Sequence, residues 1–576
     1  MNLDIAVVGG GVSGAYSAWR LQQEKGDKES IALFEYSDRI GGRLYTVTMP
    51  GLPNVKAEVG GMRYIPDQHI VVASLVDHLK LVTKDFPMGA PPPVGANCNL
   101  FYLRGRHLRL HDLADPAKVP YNLAWSERGL GPTNLQVQVM NAIYPNMANL
   151  GLCDLMRIRT FDQPLWKFGF WDLMYRVLSN EGYQFMRDAG GYDANVANAN
   201  AVTQLPATEY SDTTKFLTLR DGYDQLPITL AKEFNHRFSG VVPKGERVFM
   251  NSRLAEIELG SGEYPYTLHF LPTKTEHGRT CVDADRAPRT VRAKKVILAM
   301  PRRSLELIKS KFFDDPWLKA NIPSVLIQSA FKLFLAYERP WWRTLGLVAG
   351  RSVTDLPVRQ VYYFGTECEQ VGGQPFLNSL LMGSYNDIST VPFWKGLEEG
   401  PAFKGYRPSC LEPGVAADAI VPKMECVATD QMVDIANRQM AEIHAQPEIP
   451  SPYSAVYHDW SNDPYGGGWH EWKAGFRLDE IMCQMRKPVA SHDIYIVGEA
   501  YSYGQGWVEG ALDTAESTLE DFFGLRRPAW LKDPSYPLLP NPCPGCGDLT
   551  GCIPSKDCGK SLAGMTPNCL KQIEVG

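Results

Sequence analysis

An apolar run at residues 3–8 ends in Gly9-Gly10-Gly11-Val12-Ser13-Gly14, and a second apolar run at 31–34 ends in Glu35, about one βαβ unit later. Gly9 permits a sharp turn out of a strand, Gly11 lets a pyrophosphate approach the backbone, and Gly14 allows close helix–strand packing. Phosphate charge then meets the positive end of the helix that carries Ser13. Glu35, at the carboxyl end of the second strand, is placed to accept hydrogen bonds from ribose hydroxyls. The arrangement predicts a dinucleotide site in a Rossmann-like α/β layer.

The chain is long enough, at 576 residues, to hold two or three structural domains around large cores. A net charge of -6 gives no electrostatic reason to expect nucleic acid or an anionic membrane as partner. No apolar run reaches membrane-spanning length. With the first strand beginning near residue 3, no signal peptide is visible and a cytoplasmic protein is expected, export of a processed form staying compatible.

Of 12 cysteines, Cys98, Cys153, Cys281, Cys368, Cys410, Cys426 and Cys483 are scattered singly and read as reduced thiols. Cys543, Cys546, Cys552, Cys558 and Cys569 crowd a tail rich in proline and glycine. With no histidine and no second CxxC pair beside them, they read as local disulfides or unstructured chain rather than a zinc site, so no metal is expected.

Motifs far apart in sequence set the organisation. Residues 111–212 carry apolar side chains at helical intervals and read as a mostly helical insertion. Residues 248–254 and 295–301 read as strands returning to the nucleotide layer, and 328–337, 360–364 and 379–385 as parts of a second sheet. A strand ending in Gly498-Glu499 precedes Gly504-Gln505-Gly506-Trp507-Val508-Glu509-Gly510 and a helix running to Phe523. Strand, glycine turn and helix thus occur at both ends, which predicts a discontinuous nucleotide domain with another domain inserted.

Residues 9–14, Glu35, 39–43, Asp224-Gln225-Leu226-Pro227, Ala299-Met300-Pro301, Lys332 and 498–510 together resemble the flavin-containing amine oxidase superfamily over roughly residues 2–524. Gly61-Met62-Arg63 and Gly506-Trp507 make the chain most similar to an FAD-dependent L-amino-acid oxidase. The resemblance implies an α/β fold: a discontinuous Rossmann-like FAD-binding domain (1–65, 213–305, 486–525) with an inserted α+β substrate-binding domain (66–110, 306–485). It also implies a helical subdomain (111–212), leaving 526–576 as the Cys/Pro/Gly-rich tail.

By the same resemblance, Gly9, Gly11, Ser13, Gly14 and Glu35 bind the cofactor, and Leu254 contacts adenine through its main chain. Glu499 binds the ribityl or pyrophosphate portion, and Val508 offers an amide to the ring. Arg43, Gly60, Gly61 and Met62 line the flavin. No cysteine lies near 504–510, so FAD is expected to be held non-covalently.

Arg63 is expected to clamp the substrate carboxylate with its planar fork, the alternative being a pair with cofactor phosphates or a structural acid. Tyr385 would add a second hydrogen bond, with Tyr362 and Tyr363 as competitors. The Gly506 carbonyl would accept from the amine, and Trp507 would wall an aromatic slot. Trp469 follows a glycine run that could bring its loop to a ligand. Lys332 matches the lysine that holds a catalytic water; without the resemblance it reads as a surface residue.

No histidine matches the base proposed for venom enzymes, so the amine's deprotonation has no assigned group. The implied reaction is oxidative deamination of a free L-amino acid by dioxygen, giving a 2-oxo acid, ammonia and hydrogen peroxide. Amine or polyamine oxidation, decarboxylating monooxygenation and a non-catalytic flavin-binding role are the competing readings. Neither nucleic acid nor membrane is an expected partner, and relatives commonly form homodimers. Asp212, Asp224 and Glu509 are acids that could select a basic side chain, though structural or surface roles suit each.

Overall fold

The computed structural model describes residues 1–206, 214–236, 247–370, 377–409, 426–538 and 545–549. Asn2–Val8 lies at the centre of the first sheet, parallel to Ile31–Phe34 on one side and to Arg289–Ala299 on the other. Ile31–Phe34 is buried throughout and Asn2–Val8 nearly so, as expected of parallel strands covered on both faces. Ile494–Val497 extends the parallel layer from the second half of Arg289–Ala299. Tyr266–Glu276 and Ser252–Leu259 form an antiparallel flap on its first half.

The strand expected over 248–254 is divided. Val248–Phe249 pairs in parallel with Ile31–Phe34, while Ser252–Leu259 joins the flap. Asn251 turns the chain between them with φ of 54°, a left-handed conformation that asparagine tolerates better than most residues.

Helices Val12–Lys25 and Val508–Phe523 pack on this layer, so the two glycine turns open side by side at the same end of the sheet. Helix Ile70–His78, which the segment division above assigns to the substrate-binding part, buries Val71, Val72, Leu75 and Val76 with Trp19 and Leu512 in the nucleotide-layer core.

The second sheet has eight strands in the order Cys426–Val427, Ser454–Asp459, Ala330–Tyr337, Ser379–Asp387, Gln360–Thr366, Gly350–Thr354, Leu100–Leu103 and Arg106–Arg109. Ala330–Tyr337 is buried along its whole length. Phe331, Leu333 and Leu335 face Trp394, Met432 and Met440, and the alternate residues Ala330, Phe334 and Ala336 face Tyr45, Met62 and Tyr362. Helices Pro132–Ile143, Leu152–Arg157, Phe170–Val177 and Asn180–Gly190 form the expected helical layer.

The cysteine reading is corrected in one respect. Cys153 and Cys546 form a disulfide with Cα atoms 5.2 Å apart, and Cys483 is also disulfide-bonded, so two of the scattered cysteines are oxidised. The bridge closes 393 residues of sequence, a distance at which spacing carries no pairing signal, and it fixes residues 545–549 to helix Leu152–Arg157. Cys98, Cys281 and Cys368 are free thiols. Cys410, Cys543, Cys552, Cys558, Cys569 and Asp212 lie outside the described residues. No helix among the described residues is long and apolar enough to cross a membrane.

Candidate active site

Two cavities meet beneath the carboxyl ends of the first sheet. One is lined by Gly9, Gly11, Ser13, Glu35 and Leu254 from the nucleotide layer, with Arg43 and Glu499 at its far end. The other is lined by Gly60, Met62, Arg63, Lys332 and Tyr385. Gly61, Trp469, Gly506, Trp507 and Val508 line both, so this group is the junction.

At the first cavity the glycines act as their positions require. A Cβ on Gly14 would stand 1.8 Å from the Gly9 carbonyl oxygen, so close helix–strand contact excludes any side chain. A Cβ on Gly11 would meet only Gly42 Cα, at 3.8 Å, and would otherwise project where a pyrophosphate belongs. Glu35 is oriented by the Gly10 amide at 2.6 Å and the Ser37 amide at 2.9 Å. Shape and donor set fit FAD.

Glu499 is the hub of the junction. Its Oε2 lies 2.8 Å from Arg43 Nη1 and 2.8 Å from His470 Nδ1, while Oε1 accepts from the amides of His470 and Gly506, each at 2.8 Å. Burial would raise its pKa, but Arg43, His470 and the Gly506 amide together hold it well below the usual carboxylate range. It is a fixed anion.

In the second cavity Arg63 is 4% exposed. Its guanidinium carbon sits 4.2 Å from the Phe216 ring centroid and 5.2 Å from that of Phe86, and Nη1 lies 2.9 Å from Met88 Sδ. Aromatic faces thus support the cation within the cavity wall.

Lys332 is buried, against its reading from the strand alone, because the even face of Ala330–Tyr337 packs inward. Nζ donates to the carbonyls of Glu58 at 3.0 Å and Gly60 at 2.5 Å. Burial pushes its pKa down to about 7, with Glu58 opposing and Arg63 reinforcing. Burial likewise pushes Glu58 up to about 8.

The three tyrosines separate. Tyr385 lines the cavity, with Lys332 Nζ 4.6 Å from its ring centroid and Tyr192 edge-on at 5.2 Å. Tyr362 bonds the Tyr192 hydroxyl at 2.9 Å and lies behind Arg63. Tyr363 belongs to the opposite core and bonds Ser352 and His444. Trp469 and Trp507 both line the junction; a Cβ on Gly506 would stand 3.9 Å from the Trp469 ring, and the Trp507 ring centroid lies 4.6 Å from that of His69.

Two acids weighed as selectors of a basic side chain are engaged elsewhere. Glu509 accepts from the amides of Val71 and Val72 at the start of helix Ile70–His78, and Asp224 accepts from the Thr46 amide. Sequence reasoning missed His470, Glu471, Phe216 and Tyr192, all of which line the second cavity. Only the glycine run before Trp469 pointed toward this strand; the pairing of His470 with Glu499 has no local sign.

The sequence model of the flavin containing amine oxidoreductases matches residues 12–518. Aplysianin-A of Aplysia kurodai is 30% identical, covering 90% of each chain. An L-amino-acid oxidase of Notechis scutatus scutatus is 22% identical over 90% of this chain and 86% of its own. The structure of cyclohexylamine oxidase from Brevibacterium oxydans IH-35A aligns over 91% of this chain and 100% of its own with a TM-score of 0.60 at 16% identity, a shared fold. With the glycine cradle, the Glu499 hub and a match along most of its length, the chain belongs to the flavin-containing amine oxidoreductases and takes FAD as its cofactor.

Proposed function

We propose that the protein oxidises a free L-α-amino acid with dioxygen, yielding a 2-oxo acid, ammonia and hydrogen peroxide. The observation that carries this reading is the buried Arg63 guanidinium in the cavity that joins the flavin site. A planar cation with parallel donors matches a carboxylate, a group that a simple amine lacks. The relatives named L-amino-acid oxidase support the same reading.

Bound FAD supplies the hydride acceptor and hands two electrons to dioxygen. The chain's own residues orient the substrate. Arg63 and Tyr385 hold the carboxylate, the Gly506 carbonyl accepts from the amine, and Trp469 and Trp507 flank the space between, which limits how Cα can lie. Lys332, its pKa pushed down to about 7 by burial, is placed in the same cavity to hold a water. No cysteine is among the described residues lining either cavity, which favours non-covalent FAD.

The Cys153–Cys546 disulfide supports maturation in an oxidising compartment and hence the exported rather than the cytoplasmic form. Product analysis tests the reaction. Equal yields of peroxide, ammonia and 2-oxo acid from L- but not D-amino acids support it; an amide with carbon dioxide would assign a decarboxylating monooxygenase instead.

A further inference from the structure

Arg63 leans on a sulfur. Its Nη1 lies 2.9 Å from Met88 Sδ, and the backbone that carries this thioether is pinned from two directions. The Met88 carbonyl accepts from Asn99 Nδ2 at 2.9 Å, and a Cβ on Gly350 would stand 2.1 Å from the same carbonyl oxygen. Four methionines of the described residues line the substrate-side cavity. Met62, Met140 and Met186 are buried, whereas Met88 is partly exposed, so Met88 is the thioether that a small molecule released into the cavity meets most readily.

On the oxidase reading, the small molecule released there is hydrogen peroxide. The flavin site meets this cavity at Gly61, Trp469, Gly506, Trp507 and Val508, so peroxide formed at the flavin enters a space with Met88 in its wall. No cysteine is among the described residues lining that space, so no thiol competes with the thioether for the oxidant.

We infer that Met88 is a modification site for the enzyme's own hydrogen peroxide, and that its sulfoxide takes the place of the substrate carboxylate on Arg63. The inference rests on the reading of the function above. In the step, a sulfur lone pair attacks one peroxide oxygen. An S–O bond forms and the O–O bond breaks; sulfur gives up two electrons, and the second oxygen leaves with both hydrogens as water.

The consequence follows from acceptor strength. A thioether sulfur is a weak acceptor, so an incoming carboxylate displaces it from Nη1 at little cost. A sulfoxide is polar, and the unbranched methionine side chain lets its oxygen turn onto the guanidinium beside it. Hydrogen bonds to a charged donor are the stronger kind, so the substrate then competes with an acceptor tethered at the clamp. Phe216 and Phe86 lie against the guanidinium and keep it beside the altered sulfur. Loss of this kind appears in KM and leaves kcat nearly unchanged, because the displaced acceptor is gone once the substrate is bound.

The test exposes FAD-loaded wild type and Met88→Leu, a swap close in volume, to added hydrogen peroxide, maps the peptides by mass, and scores each protein against its own starting KM and kcat. The same proteins are titrated with benzoate, a carboxylate that carries no amine to oxidise, while flavin absorbance is followed. The expected result is one oxygen gained at Met88, with KM and the benzoate Kd raised on the order of tenfold or more and kcat changed less than about twofold. Methionine sulfoxide reductases should reverse the rise, and Met88→Leu should not show it. An unmodified Met88, a modified Met88 with both constants unchanged, or an equal rise in the Leu variant overturns the inference. Should the Leu variant fail to bind FAD, the reductases decide on wild type alone: restored constants support the site and constants that stay raised remove it. Aerobic turnover of an L-amino acid should modify Met88 where anaerobic incubation does not, and an unmodified Met88 after peroxide-releasing turnover also overturns the inference. A protein that releases no peroxide from any amino acid fails the reaction instead, while added peroxide and the benzoate Kd still decide whether the sulfoxide blocks the clamp.

Discussion

Lys332 Nζ donates to the Gly60 carbonyl at 2.5 Å, tying the central strand of the second sheet to the loop that carries Arg63. One lysine thus fixes the distance between the carboxylate clamp and the rest of the cavity. Lys332→Met is expected to keep FAD, since the residue lines only the substrate-side cavity, and to slow flavin reduction on the order of a hundredfold. Rapid mixing under anaerobic conditions checks it.

Arg63→Ala should retain the flavin spectrum and lose at least about a hundredfold in kcat/KM, because stranding one partner of a buried ion pair costs about 3–5 kcal/mol. Arg63→Lys should recover little of it, a point charge lacking the two parallel donors. Steady-state kinetics on one amino acid with both variants decides.

Glu58 ties stability to pH. Its folded pKa, pushed up to about 8 by burial, lies above the ordinary carboxylate value, so the folded protein holds this proton through a range where the unfolded chain has released it. Its contribution is full in acid and is lost as pH rises through about 8. Lys332, already uncharged above about 7, gives the newly formed carboxylate no cation there. Glu58→Gln should therefore gain stability relative to wild type above pH 8, by about 1–3 kcal/mol, and show no gain near pH 5. Denaturant midpoints at the two pH values measure the difference.

Replacing Cys153 or Cys546 with serine should cost about 2–4 kcal/mol and release residues 545–549 from helix Leu152–Arg157. Denaturation with and without reductant checks it: the wild type should fall toward the variants when reduced. Thiol counting on the intact protein would show Cys153 and Cys546 unreactive.

The first glycine turn, Glu35, the second turn at Gly506 and the discontinuous α/β plan were legible because each depends on local chemistry: apolar runs, positions where only glycine fits, and an acid at a strand end. Lys332 was legible only through resemblance, since strand alternation does not say which face is covered until Tyr45 and Met62 are seen to pack there. The choice among Tyr362, Tyr363 and Tyr385 needed the sheet's two cores, and a residue count cannot supply those. His470 with Glu499, and Cys153 with Cys546, are contacts across long sequence separations that leave no mark on the segments joined.

The most direct test of the account compares an L-amino acid with the amine left after its decarboxylation, each mixed anaerobically with the FAD-loaded enzyme while flavin absorbance is followed. If Arg63 anchors a carboxylate, the amino acid bleaches the flavin at least about a hundredfold more efficiently than the amine. Equal rates, or faster reduction by the amine, would contradict it.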